Sequence, residues 1–170
     1  MFNQQSKLLL SQLVMQLTTI VGIYYYWGTF AILDYFIIIA STFFFAVVLL
    51  EAFVHRYCTH RVFELNKKAE IFLLYCSTLL LQPPALVWVP NHITHHRYPD
   101  KKGDSHPASN GWKTWFWWNT YKNSMISGHT VKRLLKNKHY RIQYENFFKL
   151  YYLFVFYLAF LKLLKLQDMF

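Results

Sequence analysis

Few residues in this chain punctuate or cross-link it. It has 5 Gly and 5 Pro in 170 residues, and only 2 Cys. Cys58 and Cys76 are too few and too far apart to form a disulfide framework. Charged residues are scarce as well, at 15% against about 25% in ordinary soluble domains. Acidic groups are the scarcest, with 8 Asp and Glu against 18 Lys and Arg. No low-complexity linker, internal repeat or nucleic-acid motif accompanies the resulting net charge of +10, which argues against a nucleic-acid partner.

The sequence is instead 55% hydrophobic and 21% aromatic, with the apolar residues gathered in long runs. A soluble domain would have too little polar surface to cover such runs, so they point to a bilayer. Residues 8–27, interrupted by Gln12 and Gln16, are long enough for one span of roughly 20 residues. Gly28 and Thr29 can turn the chain, and residues 30–54 make a second, stronger run with Asp34 near its start and Glu51 near its end. A third run covers 147–166, with Lys162 and Lys165 placed to snorkel. Residues 71–81 are too short to span as a helix and are expected to lie as an interfacial or re-entrant helix, broken by Pro83-Pro84. Lys7 is followed by no small-residue cleavage site, so the first run reads as a retained membrane segment.

Most of the basic residues, from Arg56 to Arg141, fall between the second and third runs. That asymmetry makes residues 55–146 a cytoplasmic loop beside anionic headgroups, and it places the N-terminus on the same side. The expected fold class is an all-α integral membrane domain with a cytoplasmic histidine-rich cap. Trp112 to Trp118 reads equally well as an interface anchor or as packing within that cap.

Five of the eight histidines sit in two clusters, His55-Arg-Tyr-Cys-Thr-His60 and His92-Ile-Thr-His95-His96. On an α-helix, positions i, i+3 and i+4 share one face, so His92, His95 and His96 converge within a turn. Neutral imidazoles gathered in this way can bind a transition metal, and nitrogen ligands alone suit Fe, Zn, Cu or Ni. The five-residue step of the first cluster puts His55 and His60 on different sides of an α-helix, where they reach separate metals or straddle a shared one. Cys58 has no second thiol nearby and reads as a spacer. His129 and His139 are isolated and read as solvated polar residues.

These strings resemble the membrane fatty acid desaturases, both the acyl-CoA delta-9 type and its bacterial acyl-lipid relatives. His55 to Arg61 is similar to their first histidine box, and Asn91 to Tyr98 to their second. Trp88 matches the Trp before that box. Asp100, the stretch Gly103 to Pro107 and Gly111-Trp112 resemble the Asp-Pro-His and Gly-aromatic segments after it. The resemblance implies four transmembrane helices, of which about three are expected here, and a cap holding two iron ions. It implies O2-dependent introduction of a double bond into an acyl chain, with His55, His60, His92, His95 and His96 as iron ligands. Trp88, Asn91, Asp104 and His106 are the candidates for substrate contact or for support of the ligands. The implied partners are the lipid bilayer, an acyl-CoA or acyl-lipid substrate, and a cytochrome b5 or ferredoxin as electron donor. The implied location is a multi-pass protein of the endoplasmic reticulum or a bacterial inner membrane. A hydroxylase or monooxygenase of the wider histidine-box group, or a truncated non-catalytic relative, are the alternatives.

Two departures stand out. Pro90-Asn91 replaces the Arg-Asp that acyl-CoA enzymes commonly carry before the second box, which leaves acyl-lipid or acyl-carrier substrates open. The third, His-x-x-His-His box is absent from these 170 residues, so the chain is expected to be a fragment, one half of a split enzyme or a degenerate copy.

Overall fold

The computed structural model describes residues 4–26, 28–104, 107–111 and 128–167. Among these the regular structure is helical. Helix α1 is Gln4–Tyr26. Gly28 turns the chain at φ 86, a left-handed conformation that favours glycine. Helix α2 starts at Ile32–Phe43 and continues without a break as a π-helix over Phe44–His60. At its start the Asp34 carboxylate accepts the Ala31 N–H at 2.8 Å, which satisfies one of the orphan donors of the first turn.

The α2 continuum, Ile32–His60, is long and apolar enough to cross a membrane, with a mean hydropathy of 2.5. Only 17% of its most apolar window is buried, so the described residues do not pack it as a core helix. Ile32, Phe36 and Ile39 are each more than 60% exposed. Leu17 and Ile20 of α1 are exposed as well. Apolar surface this extensive marks contact with lipid or another protein. The apolar part of α1 is shorter, Leu9–Tyr25.

Helix α3, Lys67–Cys76, begins four residues before the apolar stretch expected at 71–81 because Asn66 caps it, accepting the Ala69 N–H at 2.9 Å. A 3₁₀ turn, Ser77–Leu80, extends it. Leu81 then takes a left-handed conformation, and Pro84 leads into α4, Ala85–Arg97. The two arms bend by 81° and together pass the same test of length and composition, as a broken span or a re-entrant loop would. Helix α5 is Gly128–Leu135. Helix α6, Lys138–Gln167, carries the third apolar run and is kinked at Asn146. The aromatic stretch 112–118 lies outside the described residues.

The core sits where the end of α2 meets α4, with Phe53, Val54 and Cys58 packed among Leu74, Ala85, Trp88, Val89, Leu134 and Tyr140. One buried polar side chain joins the pieces. Gln143, 1% exposed, donates to Leu74 O at 2.7 Å and accepts the Ala85 N–H at 3.3 Å. Its Nε2 also lies 3.1 Å from Ser77 Oγ and 3.3 Å from Thr78 Oγ1. It thereby supplies partners to backbone groups that the 3₁₀ turn and Pro84 leave unpaired inside the protein. Gln12, which interrupts the first apolar run, acts in the same way, its Nε2 donating to Leu81 O at 2.7 Å. Ser11 and Tyr152 join α1 to α6 by a hydroxyl pair at 3.0 Å.

Replacing Gln143 by Ala should destabilise the detergent-solubilised chain by about 2–3 kcal/mol, because it orphans buried backbone groups as well as deleting a side chain. Denaturant unfolding checks this, with the exposed Arg141→Ala as a control expected within about 0.5 kcal/mol of the parent.

Candidate metal centre

In an α-helix five residues turn through roughly 500°, leaving His55 and His60 about 140° apart. The structure overturns that expectation, because this part of α2 is π-wound. Hydrogen bonds closing at i+5 stack residues five apart, and the side chains follow the same step. Thr59 Oγ1 donates to Val54 O at 3.0 Å, Arg56 Nε donates to Glu51 Oε1 at 3.0 Å, and the His55 and His60 rings stand 4.8 Å apart. The first cluster therefore presents both rings together. Arg61 ends the helix in a left-handed conformation, and Val62 N–H bonds Arg56 O.

The second cluster stands on α4. Pro90 inside this helix lacks the N–H that would bond Leu86. Asn91 Nδ2 donates to Val87 O at 2.7 Å and Thr94 Oγ1 donates to Pro90 O at 2.9 Å, so polar side chains engage the backbone around the proline. His92 and His96 lie on the face toward α2, with rings 4.7 Å from His55 and 4.9 Å from His60 respectively. His92 Nε2 and His96 Nε2 are 2.9 Å apart, one donating and the other accepting. Trp88, one turn earlier and 7% exposed, stacks on His92 at 4.4 Å with planes 20° apart.

Four imidazoles thus converge: one ligand nitrogen from each of His55, His60, His92 and His96 lies within 4.8 Å of all the others. A metal–nitrogen bond is about 2.0–2.1 Å, so one ion can reach all four with small side-chain adjustments. The chemistry of the donor set fits a transition metal, since neutral imidazole is a ligand for Fe, Zn, Cu and Ni alike. His60 and His96 are exposed, and His55 and His92 are half-buried, so the cluster opens to one side.

His95 stands apart from the four. Its ring is 6.1 Å from His92 and 5.8 Å from His96, and its Nδ1 meets both Asp104 oxygens at 2.9 and 3.0 Å. Asp104 is buried and also accepts the Asp100 N–H at 2.8 Å. A carboxylate on Nδ1 fixes the tautomer so that Nε2 is the nitrogen left to bind a metal. Glu51 does the same for His55, with Oε2 2.9 Å from Nδ1. Sequence reasoning passes over Glu51 in this role. Its only signal is the i, i+4 spacing to His55, hidden at the end of an apolar run. His106 lies outside the described residues. His129 is exposed, but His139 is not simply solvated: its Nδ1 pairs with Tyr75 Oη at 3.0 Å.

Burial holds the pKa of His96 below the usual 6.5, and the neighbouring charges of His95 and His55 push the same way. All three effects favour neutral imidazole, the form that binds metal.

Comparison with known proteins gives a consistent set of relatives. The chain is 42% identical over 62 residues to an icosanoyl-CoA 5-desaturase of Limnanthes douglasii, a match covering 36% of this chain and 17% of that protein. It is 41% identical over 64 residues to an sn-1 stearoyl-lipid 9-desaturase of Anabaena variabilis, covering 38% and 22%. It is 37% identical over 62 residues to an acyl-CoA Delta(11) desaturase of Trichoplusia ni, covering 36% and 18%. The matched segment therefore covers only about a fifth of the length of these relatives. No family profile matches it, and no solved structure does.

Three outcomes are expected. Glu51→Gln should weaken divalent metal binding by roughly 10- to 100-fold by freeing the His55 ring, as read from a cobalt(II) absorption titration. The His96 shift also has a definite sign. Its neutral form is favoured, so proton competition at this ring sets in at lower pH than at an ordinary imidazole. Cobalt binding should hold its strength near neutrality and decline in acid, and His96→Ala should leave a weaker site.

Proposed function

We infer that this chain, which is related to the fatty acid desaturases, is the histidine-box portion of a membrane fatty acid desaturase. The observation that carries the reading is the convergence of His55, His60, His92 and His96 from two separate helices, in a chain whose relatives are desaturases of acyl-CoA and acyl-lipid substrates.

In this reading those four residues would hold one iron, and His95, its Nδ1 engaged by Asp104, would offer Nε2 as a ligand to a second. When bound, iron with O2 supplies the oxidising power to remove hydrogen from an unactivated methylene, which no side chain can do. The chain's own groups set the stage for that. Glu51 and Asp104 each accept from an imidazole Nδ1–H and so present Nε2 to the metal. Trp88 holds the plane of His92 by stacking. The exposed apolar faces of α1 and α2 lie in lipid and bring an acyl chain to the histidine end of α2. Removing two hydrogens while reducing O2 to two waters takes two further electrons and two protons. The reaction therefore needs an electron donor, of the cytochrome b5 or ferredoxin class. Runs 8–27, 30–54 and 147–166 span the bilayer, and the histidines face the cytoplasm.

Metal analysis of the purified chain should find one tightly held transition metal, lost in His55→Ala and His92→Ala. A chain that inserts in membranes yet binds no metal sinks the reading. Expression in a desaturase-deficient host together with the region carrying a third histidine box should yield new acyl double bonds. Hydroxylated chains in their place would assign the wider histidine-box chemistry.

A further inference from the structure

A second cavity lies by the end of α2, and none of the four clustered imidazoles lines it. The end of α2, the start of α3 and the turn between α5 and α6 border an open cavity of about 660 Å³, within the range of small-ligand sites. Arg61, Lys67, Arg133, Lys136 and Lys138 line it, against a single carboxylate, Glu70. Even that carboxylate is engaged, accepting from Tyr140 Oη at 3.0 Å. Among the described residues none of these five cations takes part in an ion pair.

Like charges gathered in one cavity repel, and leaving them unpaired costs free energy that a bound anion would recover. Arg133 makes the point. One arm of its guanidinium donates to Cys58 O at 2.7 Å, which holds the group in place at the end of α2. Its Nε is buried with no hydrogen-bond partner. The buried Nε and the bond to Cys58 O anchor the guanidinium, whose charge stands at the cavity beside the flanking lysines and adds to their pull on an anion such as phosphate. His139, on the cavity wall, is turned to Tyr75.

We propose that this cavity binds the phosphate group of a phosphate ester, through Arg133, Arg61 and the Lys136/Lys138 pair. The charge excess selects the anion. The volume leaves room for the organic part of the ester. The place beside the end of the apolar helix α2 suits a phospholipid headgroup as well as a soluble phosphate. The proposal does not depend on the metal or on desaturation.

The test measures thermal unfolding of the whole purified chain. One arm adds inorganic phosphate or glycerol 3-phosphate in neutral detergent, with sodium chloride at equal ionic strength as reference. The other reconstitutes the chain in phosphatidylcholine vesicles with or without phosphatidic acid. Saturable stabilisation is expected, with the apparent affinity falling about tenfold or more in Lys136→Gln/Lys138→Gln, whose side chains are exposed. Lys67→Gln on a different element gives an independent variant, and equal melting of each variant and the parent without ligand verifies the fold. Response to the soluble probes identifies a free phosphate ester, and response to phosphatidic acid alone identifies a lipid headgroup. Stabilisation no greater than chloride gives, or equal responses from variants and parent, overturns the proposal.

Discussion

Everything at the histidine cluster depends on how the last part of α2 is wound while it packs against α4. With α winding, His60 would point away from His55, and the two rings could not share one ion. The π winding of Phe44–His60 is an uncommon choice for a backbone, so something must hold it. The packing at this crossing does so. Phe53, Val54 and Cys58 are all under 5% exposed and lie against Ala85, Trp88 and Val89, and burying side chains of this size contributes about 1.5–3 kcal/mol for each large one. The carbonyls freed at the helix end are met as well, Cys58 O by Arg133 and Arg56 O by the Val62 N–H. The same crossing that buries the core thus carries the four clustered histidines, on the side of the two helices that stays open.

Polar groups fix the rest of the cap. Gln143 ties α6 to the 3₁₀ turn and to the first residue of α4. Tyr140 is held between Cys58 Sγ at 3.4 Å and Glu70 Oε1 at 3.0 Å. Burial pushes the Tyr140 hydroxyl far above its usual pKa and the Cys58 thiol up to about 12. Both stay protonated at physiological pH and act as neutral fixtures. Cys58 is therefore a structural side chain that fills the core beneath the histidines, which agrees with its reading as a spacer.

Some of this was legible in the sequence. Two clusters of histidine after apolar segments stand out as candidate ligands, and the i, i+4 spacing puts His92 and His96 on one face of α4, whereas the expected convergence of His95 with them does not hold. Gly28 marks the turn between the first two helices. Other features have no local signature. A five-residue spacing carries opposite meanings in α and π winding, and nothing in residues 55–60 distinguishes them. The division of the second cluster into His92 and His96 on one side and His95 on the other follows from Asp104, nine residues away, whose position depends on the tight turn around Asp100 and Gly103. Gln12 and Gln143 look like interruptions in an apolar or basic pattern, yet each answers a backbone group that only the tertiary fold leaves without a partner. Periodicity reports which face of an element is apolar. It does not report which polar side chain will be needed at a crossing.

The charge balance bears directly on what the cluster can hold. The chain carries a net charge of +10, and a divalent cation adds to it. Such surroundings disfavour protonated imidazole, which helps ligation, and also disfavour the metal, which opposes it. The opposing effects are separated in space. Of the 8 acidic residues, Glu51 and Asp104 stand against histidine Nδ1 atoms, where negative charge raises the donor strength of the ring and offsets the cation. Glu51 shares its charge with Arg56, whereas Asp104 is buried and directs its own to His95 and the Asp100 N–H. Five of the uncompensated cations are gathered instead around the cavity bordered by Arg61, Lys67 and Arg133. A chain with few carboxylates has placed two of them where a metal would need them, and it leaves its excess of positive charge facing a space suited to an anion.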